Sequence, residues 1–72
     1  MNDDAHKQTP IENLQLSMKA LGMLKRSQVN TIADLMNYTQ EDLEMLDRES
    51  ATEIIDALQN RFGLILPAND LQ

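Results

Sequence analysis

From residue 51 onward the apolar positions Ala51, Ile54, Ile55, Leu58 and Phe62 recur at spacings of three and four, which places them along one face of a helix. Gly63 follows directly and suits a left-handed C-terminal cap, while Pro67 prevents any continuation. The pattern predicts a helix over 51–62. Met18, Leu21 and Leu24 keep the same spacing and predict an earlier helix over about 17–27, opened by the hydroxyl of Ser17. Val29 and Ile32 lead into a short second helix with Leu35 and Met36 turned inward, and a third helix is predicted over 39–45. Met18, Met36 and Met45 are expected to fill gaps in the core, and Tyr38 to be half-buried packing. Residues 10–16 are expected to run extended along the core, inserting Ile11, Leu14 and Leu16. The polar, aperiodic residues 1–9 predict a disordered tail, with a second short tail at 68–72. No alternating strand pattern occurs. The expected fold is all-α: a compact bundle of four short helices plus an extended N-terminal segment, occupying residues 10–67.

Helix punctuation refines this picture. Ser50-Ala51-Thr52-Glu53 forms a capping-box pattern, in which the serine hydroxyl takes an orphan amide and the glutamate reaches back. Thr31-Ile32-Ala33-Asp34 and Thr39-Gln40-Glu41-Asp42 are variants with aspartate at the third helical position. The turn Asp47-Arg48-Glu49-Ser50 stands between the last two helices. Two helices joined so closely predict a helix-hairpin-helix, a device that grips nucleic-acid backbone through the bare amides of a glycine-containing turn. This turn has no glycine and carries two acids.

Composition narrows the function classes. Seventy-two residues with 42% apolar content make one domain near the lower size at which a single core suffices. The absence of cysteine excludes disulfides and thiolate metal sites. No apolar run approaches a membrane span and no signal-peptide pattern is present, so cytoplasmic residence is expected. His6 is the only histidine, and no phosphate-binding glycine loop or nucleophile–base arrangement occurs, so neither an enzyme nor a cofactor is expected. The net charge of −6 leans away from a freestanding nucleic-acid binder. It is unevenly spread. Residues 17–31 carry Lys19, Lys25 and Arg26 without an acid, whereas residues 32–58 carry eight acids against Arg48.

Pro10-Ile11-Glu12-Asn13-Leu14-Gln15-Leu16-Ser17 resembles the opening of the C-terminal domain of the bacterial RNA polymerase alpha subunit. Leu24-Lys25-Arg26, Val29-Asn30-Thr31-Ile32, Asp34-Leu35, Thr39-Gln40-Glu41-Asp42-Leu43 and Ser50-Ala51-Thr52-Glu53-Ile54 follow in the same order, so the resemblance covers about residues 10–67. It implies a domain that is tethered to polymerase, binds the minor groove of A·T-rich promoter DNA, and touches sigma factor and activators. With Met1 as the first residue and no assembly domain before Pro10, this domain is expected to stand alone.

Residue by residue, the resemblance implies altered contacts. Lys19 stands where the family places its central DNA-contacting arginine, keeping the charge but losing the planar fork that suits a narrow groove. Gly22 replaces a family asparagine, and Lys25 matches a family lysine. The hairpin is about three residues shorter than the family pattern and offers Asp47-Arg48-Glu49 in place of a glycine-containing element followed by lysines. Two family positions that are often acidic and face sigma factor are the amides Asn13 and Gln15. If Lys19, Lys25 and Arg26 each neutralised one phosphate, the salt slope would be only about −2.7. Asp47 and Glu49 would repel the same backbone.

The expected function is a transcription-associated binding module acting through protein contacts, with weakened DNA binding. Lys19, Lys25, Arg26, Arg48 and Ser50 are the candidate DNA contacts; Met23, Asn13, Gln15, Asp47 and Glu49 are the candidate partner contacts, Met23 because it shares a helical face with Lys19 and Arg26. Expected partners are RNA polymerase, sigma factor or an activator, with low affinity for A·T-rich DNA and neither membrane nor small-molecule substrate. The alternative is a genuine minor-groove promoter binder with lysine in place of arginine. A third reading is an acidic decoy for the DNA-binding face of another protein.

Overall fold

The computed structural model describes residues 8–67; residues 1–7 and 68–72, where most of the two expected tails fall, lie outside it. A 3-10 turn (Ile11–Leu14) is followed by four helices: α1 (Met18–Arg26), α2 (Ile32–Leu35), α3 (Gln40–Leu46) and α4 (Arg48–Phe62). Within the described residues the extended pairing is a single isolated bridge, Pro10 to Thr31. Thr9, expected in the tail, already anchors the N-terminal segment, since its carbonyl accepts the Ile32 amide at 2.9 Å. Helix α4 packs against α3, α1 and the 3-10 turn. The core it organises is almost wholly aliphatic, with Ile11, Leu24, Leu35, Leu43, Ile54 and Leu58 at 0% exposure. No helix of the described residues is long and apolar enough to cross a membrane.

The segment expected to be extended is instead the 3-10 turn, and register explains why. In a strand, residues 11 and 14 would face opposite sides; at three residues per turn they eclipse. Ile11 and Leu14 can therefore both be buried, while Leu16 is half-buried. Gln15, at φ 58°, ends the turn in the left-handed region.

Two of the three methionines expected in the core point to solvent: Met18 is 89% and Met45 86% exposed. Met36 packs against the core, as does Tyr38. The inward stripe of α1 is Ala20, Met23 and Leu24, and α3 buries Leu43 alone. Met18 and Met45 each lie two residues from an inward position, roughly 200° around the helix.

The threonine capping boxes form as expected. Thr31 Oγ1 accepts the Asp34 amide and Asp34 Oδ2 accepts the Thr31 amide; Thr39 and Asp42 repeat the exchange. Ser17 caps α1 by accepting the Ala20 amide. The box at Ser50 does not form. Asp47 is at once the last cap of α3 and the N-cap of α4, its Oδ2 accepting the Ser50 amide at 3.0 Å. Asp-x-x-Ser competes with Ser-x-x-Glu for the helix start, and the earlier cap adds a turn to α4. Ser50 thereby becomes a buried helical residue, 2% exposed. Glu53 is released from capping its own helix and accepts from Ser17 instead, at 2.6 Å from the amide and 2.8 Å from the hydroxyl.

Beyond α4 the backbone turns back on the core. Gly63 takes φ 67° and donates its N–H to Gln59 O, a left-handed C-terminal cap, and Leu64 N–H donates to Leu58 O. A Cβ at Gly63 would meet no atom within 4 Å, so the obstacle to substitution is backbone conformation alone. Gly63→Ala is expected to cost about 1 kcal/mol, seen as a lower urea midpoint with unchanged slope. Leu66 then buries itself, and the carbonyls of Leu66 and Pro67 accept from the side-chain and main-chain amides of Gln40 at 3.0 Å each. The start of α3 is thus tied to the segment that follows α4.

Candidate functional site

Lys19, Met23 and Arg26 lie at spacings of four and three on α1, so they project from one side of it. That side faces the α3–α4 turn. Between them runs a shallow cleft of about 170 Å³, lined by Lys19, Met23, Arg26, Leu46, Asp47 and Ser50. The shared face expected for Lys19, Met23 and Arg26 is present. Met23 is nevertheless not an exposed contact: it is 6% exposed, because it belongs to the inward stripe of α1. Leu46, which the sequence pattern did not single out, supplies the accessible apolar wall and is 49% exposed.

The lysine in the cleft is already engaged. Lys19 Nζ lies 2.9 Å from Glu49 Oε1 and 3.6 Å from Asp47 Oδ2. The hydrogen bond to Glu49, then the charge of Asp47, hold the ammonium above its ordinary value of 10.5. Asp47 is held below its ordinary 3.8, first by the Ser50 hydroxyl, then by the Ser50 amide, with Lys19 adding to both. The Asp47 carboxylate therefore serves the helix start and the lysine together.

The other basic residues differ. Lys25 Nζ pairs with Glu12 Oε2 at 2.6 Å, which lowers the Glu12 pKa, and donates to Asn30 Oδ1 at 3.5 Å. Arg26 has no ion-pair partner among the described residues, and its Nη1 lies 3.5 Å from where a Cβ on Gly22 would sit. The guanidinium thus covers the space that the missing side chain leaves. Arg48 is exposed at the first position of α4. Asn13 and Gln15 are exposed elsewhere, and Gln15 Oε1 accepts from Arg61 Nη2 at 3.0 Å. Glu49 and Arg61 stand twelve residues apart on α4, so Gln15 sits about 18 Å along that helix from the Lys19 pair. Seven of the ten candidate residues therefore fall into two places, while Lys25, Arg48 and Asn13 stand outside both. The cleft gathers Lys19, Arg26, Asp47, Glu49 and the buried Ser50 and Met23; the far end of α4 holds Gln15.

Acid sensitivity follows from these carboxylates. Asp34, lowered first by the Asn30 amide, and Asp47 titrate below their ordinary 3.8 when folded. Their contribution is complete above that value and is lost as pH falls through the lowered ones; Lys19, raised above 10.5, loses its contribution only as pH rises beyond that. The urea midpoint is expected to stay flat from about pH 5 to 9 and to fall below about pH 4. A midpoint that climbs on acidification would contradict this assignment.

The Lys19–Glu49 pair and the Glu53–Ser17 clamp have no signature in the sequence. Their partners are separated by 30 and 36 positions, and periodicity within one helix carries no signal across such distances.

A basic first helix facing the tight α3–α4 pair is the architecture of a small helix-hairpin-helix-like domain. The family model for the C-terminal domain of the bacterial RNA polymerase alpha chain matches residues 1–60, and the protein belongs to that family. Its relatives include the DNA-directed RNA polymerase alpha subunits of Trichormus variabilis and of Nostoc sp., each 53% identical over 68 residues and covering 90% of this sequence. The alpha subunit of Gloeobacter violaceus is 54% identical over 63 residues, 83% of the sequence. The protein spans only about a fifth of these relatives, 22%, 22% and 20% of their respective lengths. No solved structure matches.

Proposed function

We propose that residues 10–67 form a non-catalytic module of the transcription apparatus that works through contacts with RNA polymerase, sigma factor or an activator, with weakened DNA binding. The observation that carries this reading is the cleft. Its family counterpart is implied to meet promoter DNA, yet here Lys19 is paired with Glu49 and Asp47 in the acidic turn. Glu49 is 84% exposed beside Lys19, and Met45 and Leu46 stand open on the helix just before the turn. Exposed methionine and leucine rimmed by charge suit a protein partner better than a phosphate backbone. Asn13 and Gln15 supply a second accessible polar patch for such contacts.

Two measurements test this. An affinity pull-down from the protein's own cell extract is expected to bring polymerase or sigma subunits with it. Fluorescence anisotropy on an A·T-rich duplex at moderate salt is expected to show binding weaker than micromolar. The alternative, a genuine minor-groove binder, is favoured by the uncommitted Arg26 and by relatives at 53% identity. Micromolar or tighter binding that disappears in Lys19→Ala would establish that alternative and overturn the weakened-binding reading.

A further inference from the structure

Three observations meet at one atom. Among the described residues Lys19 Nζ is the cleft's only lysine ammonium, Glu49 Oε1 lies at hydrogen-bonding distance from it, and Asp47 Oδ2 lies within ion-pair range. Glu49 takes one of the ammonium's three donors and Asp47 sets its charge 3.6 Å away, so the two acids neutralise the cation that a phosphodiester would need. Asp47 cannot easily swing aside, because the same Oδ2 accepts the Ser50 amide and starts α4. Glu49 is free to leave, being 84% exposed on the first turn of that helix.

We infer that Asp47 and Glu49 are an internal competitor for the Lys19 ammonium, so that this acid pair and a nucleic-acid phosphate compete for its charge. The inference rests on the reading above, that DNA binding is weakened, and supplies its cause: the cation is present but occupied. A general negative field would act differently. It would weaken binding whether or not Lys19 were there, whereas competition for one ammonium requires Lys19.

A double-mutant cycle separates the two. Asp47→Asn with Glu49→Gln removes both charges while asparagine keeps a good N-cap, and far-UV circular dichroism checks that the helices remain. Affinity for an A·T-rich duplex is read by anisotropy at low salt in four proteins: the native protein, the doubly neutralised variant, Lys19→Ala, and the combination of all three changes. Neutralisation in the presence of Lys19 is expected to tighten binding about fivefold, the upper range for a solvated ion pair. In the Lys19→Ala background the gain is expected to shrink by at least about threefold. Glu49→Gln alone, which leaves the Asp47 cap intact, is expected to give a smaller gain of the same sign. Equal gains in both backgrounds, or no gain in either, would overturn the inference. The native protein's own affinity judges the weakened-binding reading independently, because the cycle depends only on differences.

Discussion

Ile54→Ala is expected to lower stability by about 3 kcal/mol, the middle of the range for removing a buried branched side chain and leaving its cavity. Ile54 is fully buried on the face of α4, the helix that contacts α3, α1 and the 3-10 turn together. No neighbouring layer can collapse into the space without disturbing another. For a protein of 72 residues total stability is about 4–10 kcal/mol, so one such change removes a third or more of it. The melting temperature should fall by roughly 15 °C or more. Calorimetry or urea titration checks this; a loss below about 1 kcal/mol would mean that α4 is not the centre of the core.

Glu53→Ala is expected to cost about 1–2 kcal/mol, far more than an ordinary surface glutamate. The carboxylate accepts both the amide and the hydroxyl of Ser17, and these charge-assisted bonds are short. It also places a negative charge at the positive end of α1. Glu53→Gln keeps one acceptor and should recover part of the loss, and since alanine is the better helix former the loss in Glu53→Ala is not one of propensity. Because Lys19 follows Ser17 by two residues, loosening this clamp should also broaden the orientation of the cleft's lysine. Chemical-shift perturbation along α1 in Glu53→Ala is the expected signature. Perturbation confined to α4 would show that Glu53 does not position α1.

Much of the fold is legible in the sequence because it rests on patterns internal to a helix. The stripe from Ala51 to Phe62, the caps at Ser17, Thr31 and Thr39, and the glycine stop at Gly63 each need only a few neighbouring residues. The departures share a cause. In a helix as short as α3, one inward residue defines the whole buried face, so apolar content alone does not tell Leu43 from Met45. Asp47 and Ser50 are both good caps three residues apart, and the one used is Asp47, with Ser50 buried in the helix. For the candidate site, the shared face of Lys19, Met23 and Arg26 is readable from their spacing. The acids of the turn are visible as a source of repulsion, but their pairing with Lys19 depends on how two distant helices meet.

The tether between Gln40 and the carbonyls of Leu66 and Pro67 has a practical consequence. Gln40 stands at the opposite end of α3 from Leu46, about 9 Å away along the helix axis. A handle fused after position 67 therefore departs from the side of α3 remote from Leu46. Immobilised by that handle, the protein would be held at the end of α3 opposite Leu46, one wall of the cleft. Truncation before Leu66 would unfasten α3.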